Sequence, residues 1–178
     1  MSSEKGYLVV TAVGPDRAGI VSDLSSLIHA AAANLEDSRM AVLGGEFALL
    51  LLVSGEKTLL ERLAGELRAQ EGSLGLHIHC KPTSGAKARA NVLPYSIRVS
   101  GFDRPGIVQS VTTILARRAI NVTALESRVS HAPESGTPLF VLEADLEVPS
   151  EVALSELRRE LSKKCDEENL DVTLEARG

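Results

Sequence analysis

The stretch Gly14-Pro-Asp-Arg-Ala-Gly-Ile-Val21 returns as Gly101-Phe-Asp-Arg-Pro-Gly-Ile-Val108, matching at six of eight positions with a spacing of 87 residues. In a chain of 178 residues, self-similarity at that spacing means two copies of one small unit. A unit of roughly 80 residues buries only about 60–65% of its unfolded surface, so each copy needs a partner surface. Asn34 and Asn121 keep the same spacing, whereas Asp37-Ser-Arg39 answers Glu126-Ser-Arg128 at 89, so two residues are inserted between these landmarks.

The apolar pattern repeats as well. Ile20, Val21, Leu24, Leu27, Ile28 and Ala31 correspond to Ile107, Val108, Val111, Ile114, Leu115 and Arg118. That spacing predicts one amphipathic helix of about four turns in each copy. Around it the period changes to two. Strands are expected at Tyr7–Val13, Leu35–Leu43 and Glu46–Val53 in the first copy, and at Tyr95–Ser100, Val122–Ser130 and Pro138–Val148 in the second. Gly44-Gly45 makes a two-residue hairpin connection; the second copy has the longer loop His131–Thr137, with Pro133 and Gly136. A second helix follows in each copy, on Leu59, Leu60, Leu63 and Leu67 or on Val152, Leu154, Leu157 and Leu161, the latter with Ser150 placed to cap it. Strands Leu74–Cys80 and Leu170–Ala176 close the two copies.

The order β-α-β-β-α-β, twice, predicts an α+β chain of two ferredoxin-like modules, each a four-stranded antiparallel sheet with two helices on one face. The expected boundaries are 1–81 for the first module, 82–94 for a linker with Pro82, Ser84, Gly85 and Pro94, and 95–178 for the second.

Composition narrows the function. Three Phe, two Tyr and no Trp leave no aromatic platform for stacking bases. A net charge of −5, with only Lys87 and Arg89 locally basic, repels phosphate backbones, so direct nucleic-acid binding is not expected. Cys80 and Cys165 have no neighbouring cysteine, which fits a reducing compartment. The start Met1-Ser-Ser-Glu-Lys5 lacks the apolar stretch of a signal peptide, and Phe47–Val53 is too short to span a bilayer. No membrane contact and a cytoplasmic location are expected. There is no Gly-x-Ser-x-Gly elbow, no P-loop and no paired-cysteine site, so neither catalysis nor a cofactor is expected. His77 and His79 share one strand face while Cys80 points to the other, which disfavours a metal site.

The repeated loops carry the remaining chemistry. Gly14 or Gly101 can turn the chain, and Asp16 or Asp103 can cap the emerging helix. Pro105 suits a first helical turn. The N–H groups of Gly19, Ile20, Gly106 and Ile107 then face outward with the positive end of the helix dipole, a place for a carboxylate. An Asp carboxylate or a neighbouring carbonyl could accept from an ammonium group. Each feature also has a plain structural reading: a well-capped helix start for the loops, a solvated side chain for Arg17 and Arg104, and a helix-ending residue with positive φ for Asn34 and Asn121.

The paired Asp-Arg-x-Gly-Ile-Val loops, each between a first strand and a first helix and with an Asn after that helix, resemble the ACT domain, a small-molecule sensor module of amino-acid metabolism. The similarity covers nearly the whole chain. It implies ligand binding at the loops where two modules meet, through Asp16, Arg17, Ala18, Gly19 and Ile20 in the first copy and Asp103, Arg104, Pro105, Gly106 and Ile107 in the second, with Asn34 and Asn121 as secondary candidates. Ala18 departs from the pattern that Pro105 keeps, which leaves the first loop less rigid. The resemblance further implies a small amino acid such as glycine as ligand, a DNA-binding transcription factor as protein partner, a homodimer, and a role as transcriptional repressor. Rival readings are an accessory regulatory subunit of an amino-acid or folate enzyme, and modules kept only for assembly.

Overall fold

In strand β1 (Lys5–Pro15) every second residue from Leu8 to Gly14 is buried, and in β3 (Glu46–Glu56) the same holds for Phe47, Leu49, Leu51 and Val53. This alternation is what a sheet with one covered face requires. The computed structural model describes residues 5–85, 89–131 and 136–177. Lys87 of the expected linker, Pro133 of the second hairpin loop and residues 1–4 lie outside the described residues.

The chain divides into two units, residues 1–87 and 88–178. The first unit runs β1, α1 (Ile20–Ala30), β2 (Asn34–Leu43), β3, α2 (Lys57–Ala69), a one-turn helix α3 (Glu71–Leu74) and β4 (His77–Thr83). The second runs β5 (Val92–Phe102), α4 (Ile107–Arg117), β6 (Asn121–His131), β7 (Pro138–Pro149), α5 (Leu154–Glu167) and β8 (Leu170–Ala176). The antiparallel sheets have the orders β2-β3-β1-β4 and β6-β7-β5-β8. Both are ferredoxin-like α+β sheets.

Each unit has its own apolar core. In the first, Leu24 and Ile28 of α1 and Leu60, Leu63 and Leu67 of α2 pack with the buried face of β1 and β3. In the second, Val111, Ile114 and Leu115 of α4 and Leu157 and Leu161 of α5 pack with Ile97, Val99, Leu142 and Leu146. Burying one such leucine contributes about 1.5–3 kcal/mol.

Several local expectations change. The first helices have three turns, not four: α1 and α4 each have 11 residues. They end in Schellman turns, with Ala33 N–H donating to Ile28 C=O and Ala32 N–H to His29 C=O, and likewise Ile120 to Leu115 and Ala119 to Ala116. The left-handed residues are Ala32 (φ 51°) and Ala119 (φ 54°), so Asn34 and Asn121 do not end the helices but open β2 and β6. Ser150 does not cap α5. That helix starts three residues later, with Ala153 at its N-cap, and the Ser150 N–H donates to Asn91 C=O. β4 starts at His77 because Gly75 (φ 69°) closes α3 first. β4 and β5 both run into the expected linker, to Thr83 and from Val92. Pro82 is tolerated there because β4 is an edge strand, and Pro94 precedes the pairing of β5 with β8. Both sheets carry one bulge at the same place, between Leu35 and Asp37 and between Val122 and Ala124. The spacing of 87 continues through it: by register Asp37 answers Ala124 and Arg39 answers Glu126, and the two-residue insertion expected between these landmarks is not present.

Candidate functional site

The residues between the first strand and first helix of each unit form matching loops. Asp16 N–H donates to Gly45 C=O at 3.0 Å, and Asp103 N–H donates to Pro138 C=O at 3.0 Å, so each loop is tied to its neighbouring hairpin. Gly19 (φ 92°, ψ −9°) and Gly106 (φ 96°, ψ −5°) then occupy the helix N-caps. These angles are those of the third residue of a type II turn, a position that favours glycine, with proline favoured just before it. Pro105 therefore presets the turn rather than the first helical turn, which starts at Ile107.

Neither Asp16 nor Asp103 caps its helix; no side chain makes a capping hydrogen bond at either N-cap. The aspartates stand three residues ahead of the capping glycine, too early for a side chain that must reach the first turn. The first-turn N–H groups have no acceptor within their own helix. The loop residues Pro15–Gly19 and Phe102–Gly106 are exposed, while Ile20 and Ile107 are 2% exposed and belong to the core. Only the main chain of these two isoleucines can meet a ligand.

Gly14 and Gly101 do not turn the chain. Both lie inside strands, and a Cβ on either would collide: on Gly14 with the Gly75 carbonyl oxygen and Leu76, on Gly101 with Leu170 at 2.6 Å and the Asn169 carbonyl oxygen at 3.0 Å. Close approach of the last strand's entry is the reason for glycine here.

The two loop arginines are exposed, as a solvated side chain would be, but both are paired. Arg17 pairs with Asp23 of α1 at 2.8 Å and donates to Leu74 C=O at 3.5 Å. Arg104 pairs with Glu168, just past α5, at 2.5 Å. Glu168 also accepts from Ser110 Oγ at 3.0 Å and from Lys164 Nζ at 2.7 Å. The hydrogen bond from Lys164 is the main cause that holds the Glu168 carboxyl below the usual carboxylate range, with help from Ser110 and Arg104. The same contact raises Lys164. Sequence patterning did not single out Asp23, Ser110, Lys164 or Glu168. Arg104 and Glu168 are distant in sequence, and no periodicity links a loop residue to the end of another helix.

Asn34 and Asn121 do not join the loops within a unit. Asn34 and Tyr7 both lie opposite Ser54, eight residues up β1 from Pro15, roughly 26 Å at strand spacing. Asn121 is likewise paired with Glu147, at the far end of β7 from Pro138, and its Nδ2 donates to Glu147 at 3.0 Å. A groove of about 750 Å³ between β4 and α2, lined by Tyr7, Leu60, Arg68 and Pro82, holds none of the candidate residues.

His77 and His79 are exposed while Ile78 and Cys80 are buried, as strand alternation expects. Both cysteines are free and buried. Among the described residues, no helix is long and apolar enough to cross a membrane.

Comparison with known proteins agrees with this architecture. Residues 6–81 match an ACT domain model, and residues 95–162 match a second one. Over 167 residues, 94% of this chain and 88% of the relative, the chain is 26% identical to the glycine cleavage system transcriptional repressor of Escherichia coli (strain K12). A crystal structure of an unknown protein from Galdieria sulphuraria superposes with a TM-score of 0.81 at 33% identity, covering 98% of this chain and 100% of the other. Another, of a protein provisionally described as a glycine cleavage system transcriptional repressor, gives 0.73 at 28% identity, covering 98% and 99%. The chain belongs to the ACT domain family, with one domain in each half.

Proposed function

We propose that this protein is a non-catalytic regulator that senses a small amino acid such as glycine and represses transcription of glycine cleavage genes through contact with a DNA-binding transcription factor. The observation that carries this reading is the similarity to a transcriptional repressor along nearly the whole chain, both ACT domains included. A net charge of −5 fits action through a protein rather than on DNA, and a cytoplasmic location goes with that role.

In this reading the ligand carboxylate sits on the first-turn N–H groups of α1 or α4, where the helix dipole is positive. The left-handed glycines, Gly19 and Gly106, keep side chains out of its path. The ammonium group is taken by the Asp16 or Asp103 carboxylate or by a loop carbonyl. The loops are open on one side, so a homodimer would supply the missing wall from a second copy, with the Asn34 or Asn121 end of a sheet as the approaching surface. Ligand then shifts the balance between arrangements by its differential affinity for them.

The test is a pull-down with the full chain from its own cell extract, with and without glycine. Recovery of a transcription factor in a glycine-dependent amount supports the reading. Recovery of none in either condition contradicts it.

A further inference from the structure

Taking the loops as amino-acid sites, as proposed above, we infer that Glu168 is the positioning residue of the second loop and makes that loop the tighter of the two. One carboxylate gathers donors from three elements: Arg104 from the loop, Ser110 from the first turn of α4, and Lys164 from the last turn of α5. Its side chain is only 11% exposed, whereas Arg104 and Lys164 are each 41% exposed, so solvent reaches these contacts mainly from the side of the donors. Charge-assisted bonds of this kind are about twice as strong as neutral ones. The loop and the start of α4 are thereby fixed to the far end of the second helix before any ligand arrives.

In the first unit the sheet register places Leu74 where Glu168 stands, and the acid nearest to it in sequence, Glu71, is used differently. Glu71 of α3 accepts from the Ile78 N–H at 2.6 Å, which fixes β4 rather than the loop. Arg17 is left with Asp23 on its own helix, a pair whose side chains are 41% and 45% exposed, and with a long bond to Leu74 C=O. Exposed pairs of this type contribute little, because solvent screens them and two long side chains must be held in one geometry. Both loops are tied to a hairpin by the main chain, but only the second is also held by a carboxylate that joins it to the second helix. A rigid loop loses less freedom on binding, which favours affinity.

The inference assigns Glu168 no contact with ligand, so its test needs a measurement that works without one. In the full-length chain, Glu168→Gln should raise hydrogen exchange at residues 103–109 several-fold over wild type while residues 16–22 stay unchanged. Arg104→Gln, which breaks the pair from the other side, should do the same. In glycine titrations, Glu168→Gln should weaken binding by about tenfold, equivalent to one lost charged contact, whereas Asp23→Asn should change it less than about twofold. Unchanged exchange at 103–109 in both variants overturns the inference. If the wild type binds no glycine, the functional reading falls on that result, and the exchange comparison still decides whether Glu168 holds the loop.

Discussion

The Cα of Gly14 lies so close to the carbonyl of Gly75 that any side chain at position 14 would strike a backbone oxygen. At Gly101 the first atom met is Leu170 Cδ2, the end of a flexible side chain, with the Asn169 carbonyl oxygen next. Gly14→Ala should therefore destabilise its unit by ~2–3 kcal/mol and Gly101→Ala by ~1–2 kcal/mol, the range for overpacking a tight site. Urea unfolding midpoints of the two variants check the order, which would fail if Gly101→Ala were the more damaging.

Glu168 links stability to acid. Its carboxyl is held below the ordinary value of 4.5, first by the Lys164 hydrogen bond and further by Ser110 and Arg104. A depressed acid of this kind contributes stability that is fully present above the unfolded-state value and is lost as pH falls through the folded-state value. Wild type should be more stable than Glu168→Gln by a constant margin from about pH 7 to about pH 5.5, and the margin should shrink below about pH 4. Denaturant midpoints across that range measure it, and a margin that grows on acidification would contradict the assignment.

The repeat and the two periodicities made most of the fold legible. Alternation at Leu8, Val10 and Ala12 and the helical stripe at Ile20, Leu24 and Ile28 both arise from burial on one face, which a single sequence displays directly. The loops were also legible as loops from the repeated Asp-Arg-x-Gly-Ile-Val motif, but the left-handed N-caps at Gly19 and Gly106 were not. What remained hidden was non-local. Gly14 read as a turn, because only the folded chain brings Gly75 against it. Asp16 and Asp103 read as caps, because a capping residue and one three positions earlier look alike until the helix start is fixed. Asn34 and Asn121 read as helix ends, because asparagine tolerates positive φ, yet the chain places Ala32 and Ala119 there instead.

Those two alanines carry avoidable strain. An exposed alanine in the left-handed region lacks the freedom of the glycine normally found at this point of a Schellman turn. Ala32→Gly and Ala119→Gly should each stabilise by ~0.5–1 kcal/mol, the conformational relief outweighing the added freedom of the unfolded chain. Thermal unfolding is a sufficient readout, and a lower melting temperature in both variants would rule the explanation out.

The thiols should be silent in the native protein. Burial is the first cause that raises both cysteines, Cys165 to about 11, and thiolate is the reactive form. A colorimetric thiol reagent at neutral pH should modify neither Cys80 nor Cys165 until denaturant is added, when both should react. Fast labelling of either one in the folded chain would show that its site opens.

Isothermal titration of the full chain with glycine, followed by serine and other small amino acids, addresses the central claim most directly. A saturable heat, weakened by Asp103→Ala, is expected for a ligand held at the start of α4. Absence of saturable binding for every amino acid tested would contradict the assignment of these loops as sensors.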